Sequence, residues 1–140
     1  MKKDTAKLLE ELQNYEEFRD FYDENRDYLI SGKLSDMLQQ LIEKKGLRKS
    51  EVVRTCELSE VYAYQIFSGL RVPERKKLLC LALAMQLNIE ETQQLLRCSG
   101  YSPLYVKLPF DSVVLYAVCN HLTVIQTNAM LFEYGLETLG

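Results

Sequence analysis

LSEVYAYQIFSGLRVP, residues Leu58 to Pro73, decides how this chain is read. Ala63, Ile66 and Phe67, with Val61 or Tyr62, recur at helical spacing, while Ser59, Glu60, Tyr64, Gln65 and Ser68 fall on the other side. Ser59 is placed to cap the helix, because a serine hydroxyl accepts from an otherwise unpaired first-turn amide. Gly69 ends it, and Pro73 enforces a turn before Glu74. The stretch predicts a helix over 60–68 with one side for a core and a polar side turned outward.

Just upstream, Val52, Val53 and Cys56 share a face and predict a shorter helix from about Lys49 to Cys56. Two helices crossing steeply over a short turn need apolar residues where Val52, Cys56, Leu58, Ala63 and Ile66 stand, because only those positions meet at the crossing. Lys49 to Ser68 thus has the arithmetic of a helix-turn-helix. Its outward positions on the second helix are Ser59, Glu60, Val61, Tyr64, Gln65 and Ser68, those that would face a major groove. Farther back, Leu34, Met37, Leu38, Leu41 and Ile42 form a core-facing stripe ended by Lys44, Lys45 and Gly46, a helix over about 33–45.

The N-terminal arm, 1–32, reads as two short amphipathic helices between Asp4 and about Tyr28. Leu8, Leu9 and Leu12 lie on the first, Phe18, Phe21 and Tyr22 on the second, and Asn14 three residues before Glu17 is a plausible cap between them. Its apolar side must pack on something, either as a brace on the domain's own core or as a dimer contact. At the other end the chain repeats itself at a displacement of 35 residues, 75–104 resembling 110–139. Ala82 pairs with Ala117, Leu87 with Leu122, Thr92 with Thr127, Leu96 with Leu131, Gly100 with Gly135 and Leu104 with Leu139. Each copy reads as a helical hairpin jointed near Asn88 or Thr123 and stopped by glycine. The expectation is an all-α fold of seven to nine helices, organised as 1–32, 33–100 and 101–140.

Charge is unevenly spread. The net charge is −3, but residues 1–32 carry 5 basic and 9 acidic side chains, 33–100 carry 11 and 8, and 101–140 carry 1 and 3. The middle is the basic part. Cys56, Cys80, Cys98 and Cys119 contain no C-x-x-C pair and read as reduced thiols, and the lone His121 reads as structural or solvent-facing, so neither metal nor cofactor is expected. No P-loop, G-x-G-x-x-G, serine elbow or carboxylate pair offers an enzymatic mechanism. Glu90 and Glu91 suit the start of a helix dipole. The charged start and the short apolar runs predict a cytoplasmic protein without a membrane span.

Leu34 to about Asn88, and especially GLRKSEVVRTCELSEVYAYQIFSGLRVPERKKLLCLALAMQL, resembles the five-helix domain of the lambda repressor and Cro-like (XRE) helix-turn-helix family. The Gly46-Leu47 joint, the Gly69 to Pro73 stretch and the Leu- and Ala-rich helix ending at Leu87 carry the resemblance. The hairpin that follows, LNIEETQQLLRCSGYSPLY, is similar to an extension of some bacterial members. The resemblance implies sequence-specific binding of double-stranded DNA, usually as a homodimer, here formed through the N-terminal arm or the C-terminal hairpin. It implies base contacts from Ser59, Glu60, Val61, Tyr64 and Gln65, and phosphate contacts from Arg48, Lys49, Ser68, Arg71, Arg75 and Lys76. Two positions depart from the family's pattern. Val53 stands where a small residue is usual, and Glu57 stands where glycine is usual, so Glu57 must turn left-handed or re-route the joint. Glu60 can accept from cytosine but repels phosphate. With the overall acidity, these residues motivate a second reading: a protein-interaction adaptor, antitoxin or defence-system partner on a helix-turn-helix scaffold that has lost DNA binding.

Overall fold

The computed structural model describes residues 4–25 and 34–140, and among them the only regular secondary structure is helical. The helices are α1 (Thr5–Asn14), α2 (Phe18–Asn25), α3 (Leu34–Lys44), α4 (Lys49–Thr55), α5 (Glu60–Ser68), α6 (Arg75–Ala84), α7 (Ile89–Cys98), α8 (Pro109–Cys119) and α9 (Val124–Glu133). The expected reach of the second helix to Tyr28 and the expected start of the third at Lys33 lie outside the described residues. The chain divides into two compact units, Met1–Ser31 and Gly32–Gly140. The larger unit runs through position 100 without a break.

In the smaller unit, Asp4 caps α1 by accepting from the Lys7 amide at 2.7 Å. Tyr15 ends α1 in extended conformation and its hydroxyl donates to the Glu24 carboxylate of α2. That hydrogen bond, helped by the carboxylate charge, pushes the Tyr15 phenol up to about 12. Asn14 is not a cap for α2: it is the last residue of α1, and its side-chain amide donates to the Glu10 carbonyl one turn back. The Phe21 ring meets Tyr15 edge-on at 5.7 Å and Phe18 at 6.0 Å.

The larger unit is built around α6. From Leu78 to Leu83 every side chain is buried, whichever way it points, which is the behaviour of a helix surrounded on all sides. α4 and α7 pack along it, and α8 and α9 close over it. α3 packs on α5 and α7, and α4 on α5, so Leu38, Cys56, Ala63 and Ile66 are shut away from solvent together. Burial pushes both the Cys56 and Cys80 thiols up, Cys80 to about 12.

One device ends six of these helices. A left-handed residue is followed by an apolar one whose amide reaches back to the carbonyl five residues earlier: Gly46-Leu47 to Ile42, Gly69-Leu70 to Gln65, Gln86-Leu87 to Ala82, Gly100-Tyr101 to Leu96, His121-Leu122 to Ala117 and Gly135-Leu136 to Leu131, all at 2.9–3.1 Å. This closure satisfies the carbonyls a helix end leaves free. Glu57 turns left-handed too, at φ 62°, between α4 and α5.

The hairpins α6–α7 and α8–α9 share these details at a spacing of 35 residues. Gln86 and His121 are left-handed at φ 53° and 54°. Asn88 and Thr123 head reciprocal capping boxes with Glu91 and Gln126. Buried Thr92 and Thr127 each donate to the cap carbonyl at 2.8 Å. Gln93 and Asn128 each accept, at 2.7 Å, from the amide of a buried leucine, Leu104 and Leu139. Arg75, at the start of α6, ties the hairpins together: its guanidinium grips both oxygens of Asp111 in α8 at 3.1 and 3.0 Å and donates to the Ser102 and Pro103 carbonyls.

Candidate functional site

α5 presents the outward side expected of 60–68. The Ser59 hydroxyl accepts from the Tyr62 amide at 3.2 Å, and Gly69 stops the helix at φ 87°. Ala63, Ile66 and Phe67 enter the core, which leaves Glu60, Val61, Tyr64 and Ser68 in solvent with Gln65 half-exposed. Val61 is 69% exposed, and the segment after the helix continues outward with Leu70, 76% exposed, Arg71 and Val72. A shallow depression of about 790 Å³ runs along this side, lined by Lys49, Glu60, Val61, Tyr64, Gln65, Phe67, Ser68 and Leu70.

Lys49 reaches the depression from the first residue of α4, its ammonium 5.4 Å from the Phe67 ring centroid. The ring face attracts the cation and holds it beside the α5 side. Glu60 sits in the first turn of α5, where the helix dipole favours a carboxylate. Ser68 donates its hydroxyl proton to the Gln65 carbonyl at 3.0 Å. The structure therefore gathers Lys49, Glu60, Val61, Tyr64, Gln65 and Ser68 of the expected contact residues.

The other basic residues are distributed differently. Arg48 is exposed at the N-cap of α4, beside a separate depression of about 320 Å³ that Glu51, Thr55, Gln86 and Thr123 also line. Arg71 is exposed in the loop after α5 and meets no carboxylate among the described residues. Arg75 and Lys76, expected to meet phosphate, are instead engaged within the fold. Arg75 is held by Asp111 and two carbonyls, and Lys76 bonds Glu137 at 2.7 Å with its ammonium 5.5 Å from the Phe110 ring centroid. Lys77 lies 4.9 Å over the Tyr62 ring. The Lys76 hydrogen bond and charge lower the Glu137 carboxyl from its ordinary value.

Sequence reasoning missed the partners that occupy these cations, Asp111 and Glu137, and the apolar share of the outward surface, Leu70 and Val72. Leu70 was legible in principle, since it follows a glycine stop, but its amide and not its side chain is what the helix end uses. Among the described residues no group of three or more His, Cys, Asp and Glu could hold a metal, and no helix is long and apolar enough to cross a membrane. No protein-family model, curated protein or solved structure matches this chain.

Proposed function

We propose that this chain is a sequence-specific double-stranded DNA-binding regulator that lays α5 in the major groove, on a helix-turn-helix formed by α4 and α5. The observation that carries the reading is the uncovered outer side of α5 with Lys49 held at its edge. An α-helix with its side chains is about 10–12 Å across, a width suited to a groove about 12 Å wide. Gln65 suits adenine, Glu60 the cytosine amino group, and Val61 the thymine methyl. Arg48, Lys49 and Arg71 remain for phosphates once Arg75 and Lys76 are assigned to the fold.

Three phosphate contacts give a salt dependence of known size. The logarithm of affinity falls with the logarithm of salt at a slope of about −2.7 per chain, roughly a 40-fold loss between 50 and 200 mM. Arg71→Ala should flatten that slope by about one and weaken all sequences alike, whereas Gln65→Ala should change which sequences are preferred. Selection of bound duplexes from a random pool, followed by titration at several salt concentrations, tests the reading directly. Absence of salt-sensitive binding to any duplex would sink it.

A second reading has its own observation. Val61, Leu70 and Val72 give the α5 side an apolar surface next to Glu60, and exposed apolar patches mark protein contacts. On that reading the surface takes a protein partner and DNA binding has been lost. Leu70→Lys, on the same exposed surface, separates the two: added positive charge strengthens duplex binding if α5 meets DNA, and abolishes partner binding if it meets protein.

A further inference from the structure

Among the described residues, Lys49 stands over the Phe67 ring, Lys77 over Tyr62 and Lys76 over Phe110, at 5.4, 4.9 and 5.5 Å from the ring centroids. A ring face attracts an ammonium without cancelling its charge. Lys76 has its charge answered by Glu137, whereas neither Lys49 nor Lys77 meets a carboxylate among the described residues. The two unanswered lysines are the two whose rings belong to α5. They reach those rings from different helices, Lys49 from the first residue of α4 and Lys77 from the first turn of α6. Counting about 100° per residue along α5, the outward side sweeps from Glu60 through Tyr64, Ser68 and Val61 to Gln65. Phe67 borders that arc about 20° before Glu60, and Tyr62 about 60° past Gln65. One ring thus stands on each flank of the outward side, Phe67 buried and Tyr62 half-buried, and each carries a lysine.

We propose that Phe67 and Tyr62 are positioning residues that hold Lys49 and Lys77 as a pair of ammonium groups, one for each phosphate strand walling the groove that α5 enters. The inference rests on the DNA reading and adds to it a fourth phosphate contact, Lys77, and two rings that act through the lysines. The outward side of α5, from Glu60 to Gln65 and Ser68, carries no cation of its own. A helix that fills the groove turns such a side to the bases, and its flanks to the phosphates on either hand. Cations on the two flanks are therefore the ones that meet both strands. A lysine stem is long and flexible, and fixing it on binding costs side-chain entropy. An ammonium already held against a ring has less freedom left to lose, which strengthens binding without any new contact.

The test is titration of the full chain with a duplex recovered from the random pool, repeated over a range of salt. With Lys77 added to the three contacts above, the slope should steepen from about −2.7 to about −3.6. Lys77→Ala should flatten it by about 0.9 and weaken binding roughly 8-fold at 100 mM salt, a loss that fades toward 1 M. Tyr62→Leu should keep the steeper slope and weaken binding roughly 2- to 5-fold, whereas Tyr62→Phe, which keeps the ring, should bind as the wild type does. In a Lys77→Ala background, Tyr62→Leu should cost nothing further. The Lys49→Ala and Phe67→Leu pair repeats the cycle on the other flank. A wild-type chain that binds duplex with salt sensitivity, while Lys77→Ala leaves the slope unchanged, overturns this proposal and spares the DNA reading. So does a Tyr62→Leu loss of the same size with and without Lys77, which would make the ring a packing residue only. Absence of duplex binding by the wild-type chain removes both.

Discussion

Glu57 turns the chain between α4 and α5 with φ at 62°, a conformation that costs an L-residue about 1–2 kcal/mol. Glycine at this position would relieve that strain while adding disorder to the unfolded chain, so Glu57→Gly should stabilise by a net of roughly 0.5 kcal/mol in urea unfolding. Gly69 gives the opposite result. Its φ is 87°, and an added Cβ would lie 3.2 Å from the Ser35 hydroxyl oxygen. Gly69→Ala should cost about 1–2 kcal/mol and move the α5 stop. Glu91 supplies a pH dependence. Burial pushes its carboxyl up, but the Asn88 amide at 2.9 Å and the Lys45 ammonium at 3.1 Å outweigh that and leave it lowered. A folded-state value below the unfolded one means that the unfolded chain binds the proton first as pH falls. The stabilisation is therefore present above the unfolded carboxylate range and lost as pH drops through the folded value. Glu91→Gln, which can keep the capping geometry without the charge, should unfold with a shallower acid limb, read as Tm against pH.

At the scale of helices, the capping boxes of α7 and α9 are the same construction 35 residues apart, on Asn88 and Thr123. Removing either cap side chain should cost about 1 kcal/mol. Asn88→Ala should cost more than Thr123→Ala, because its box also includes Glu91, whose carboxylate joins Lys45 near the end of α3 to the start of α7. Chemical unfolding of the two variants side by side checks the order; equal losses would mean that the Lys45 bond contributes nothing measurable.

Across the whole larger unit, the Arg75–Asp111 pair fixes how the second hairpin closes on the first. The Asp111 side chain is buried and also accepts from the Tyr105 amide at 2.8 Å. Asp111→Ala leaves the guanidinium without its counter-charge and should destabilise by about 3–5 kcal/mol, while replacing both partners with apolar residues should recover most of the loss. Arg75→Ala should likewise lower Tm and leave the salt slope of any duplex binding untouched, since Arg75 faces Asp111. A flattened slope at unchanged stability would return Arg75 to the phosphates.

Short-range pattern determined much of this molecule. The stripe Leu34, Leu38, Leu41 and Ile42, the Ser59 cap, the Gly69 stop and the repeat at 35 residues are local statements, because a helix registers its period and its ends within a few residues. The outward side of α5 was legible for the same reason. Left-handed Gln86 and His121 were not, since no glycine marks them and the closure that holds them depends on the following leucine finding a core. Tertiary structure alone decided which cations stay free. Arg71, Arg75 and Lys76 are alike in sequence, but Asp111 lies 36 residues from Arg75 and Glu137 lies 61 from Lys76. Local periodicity carries no information about contacts at that range; the packing of α8 and α9 onto α6 makes them.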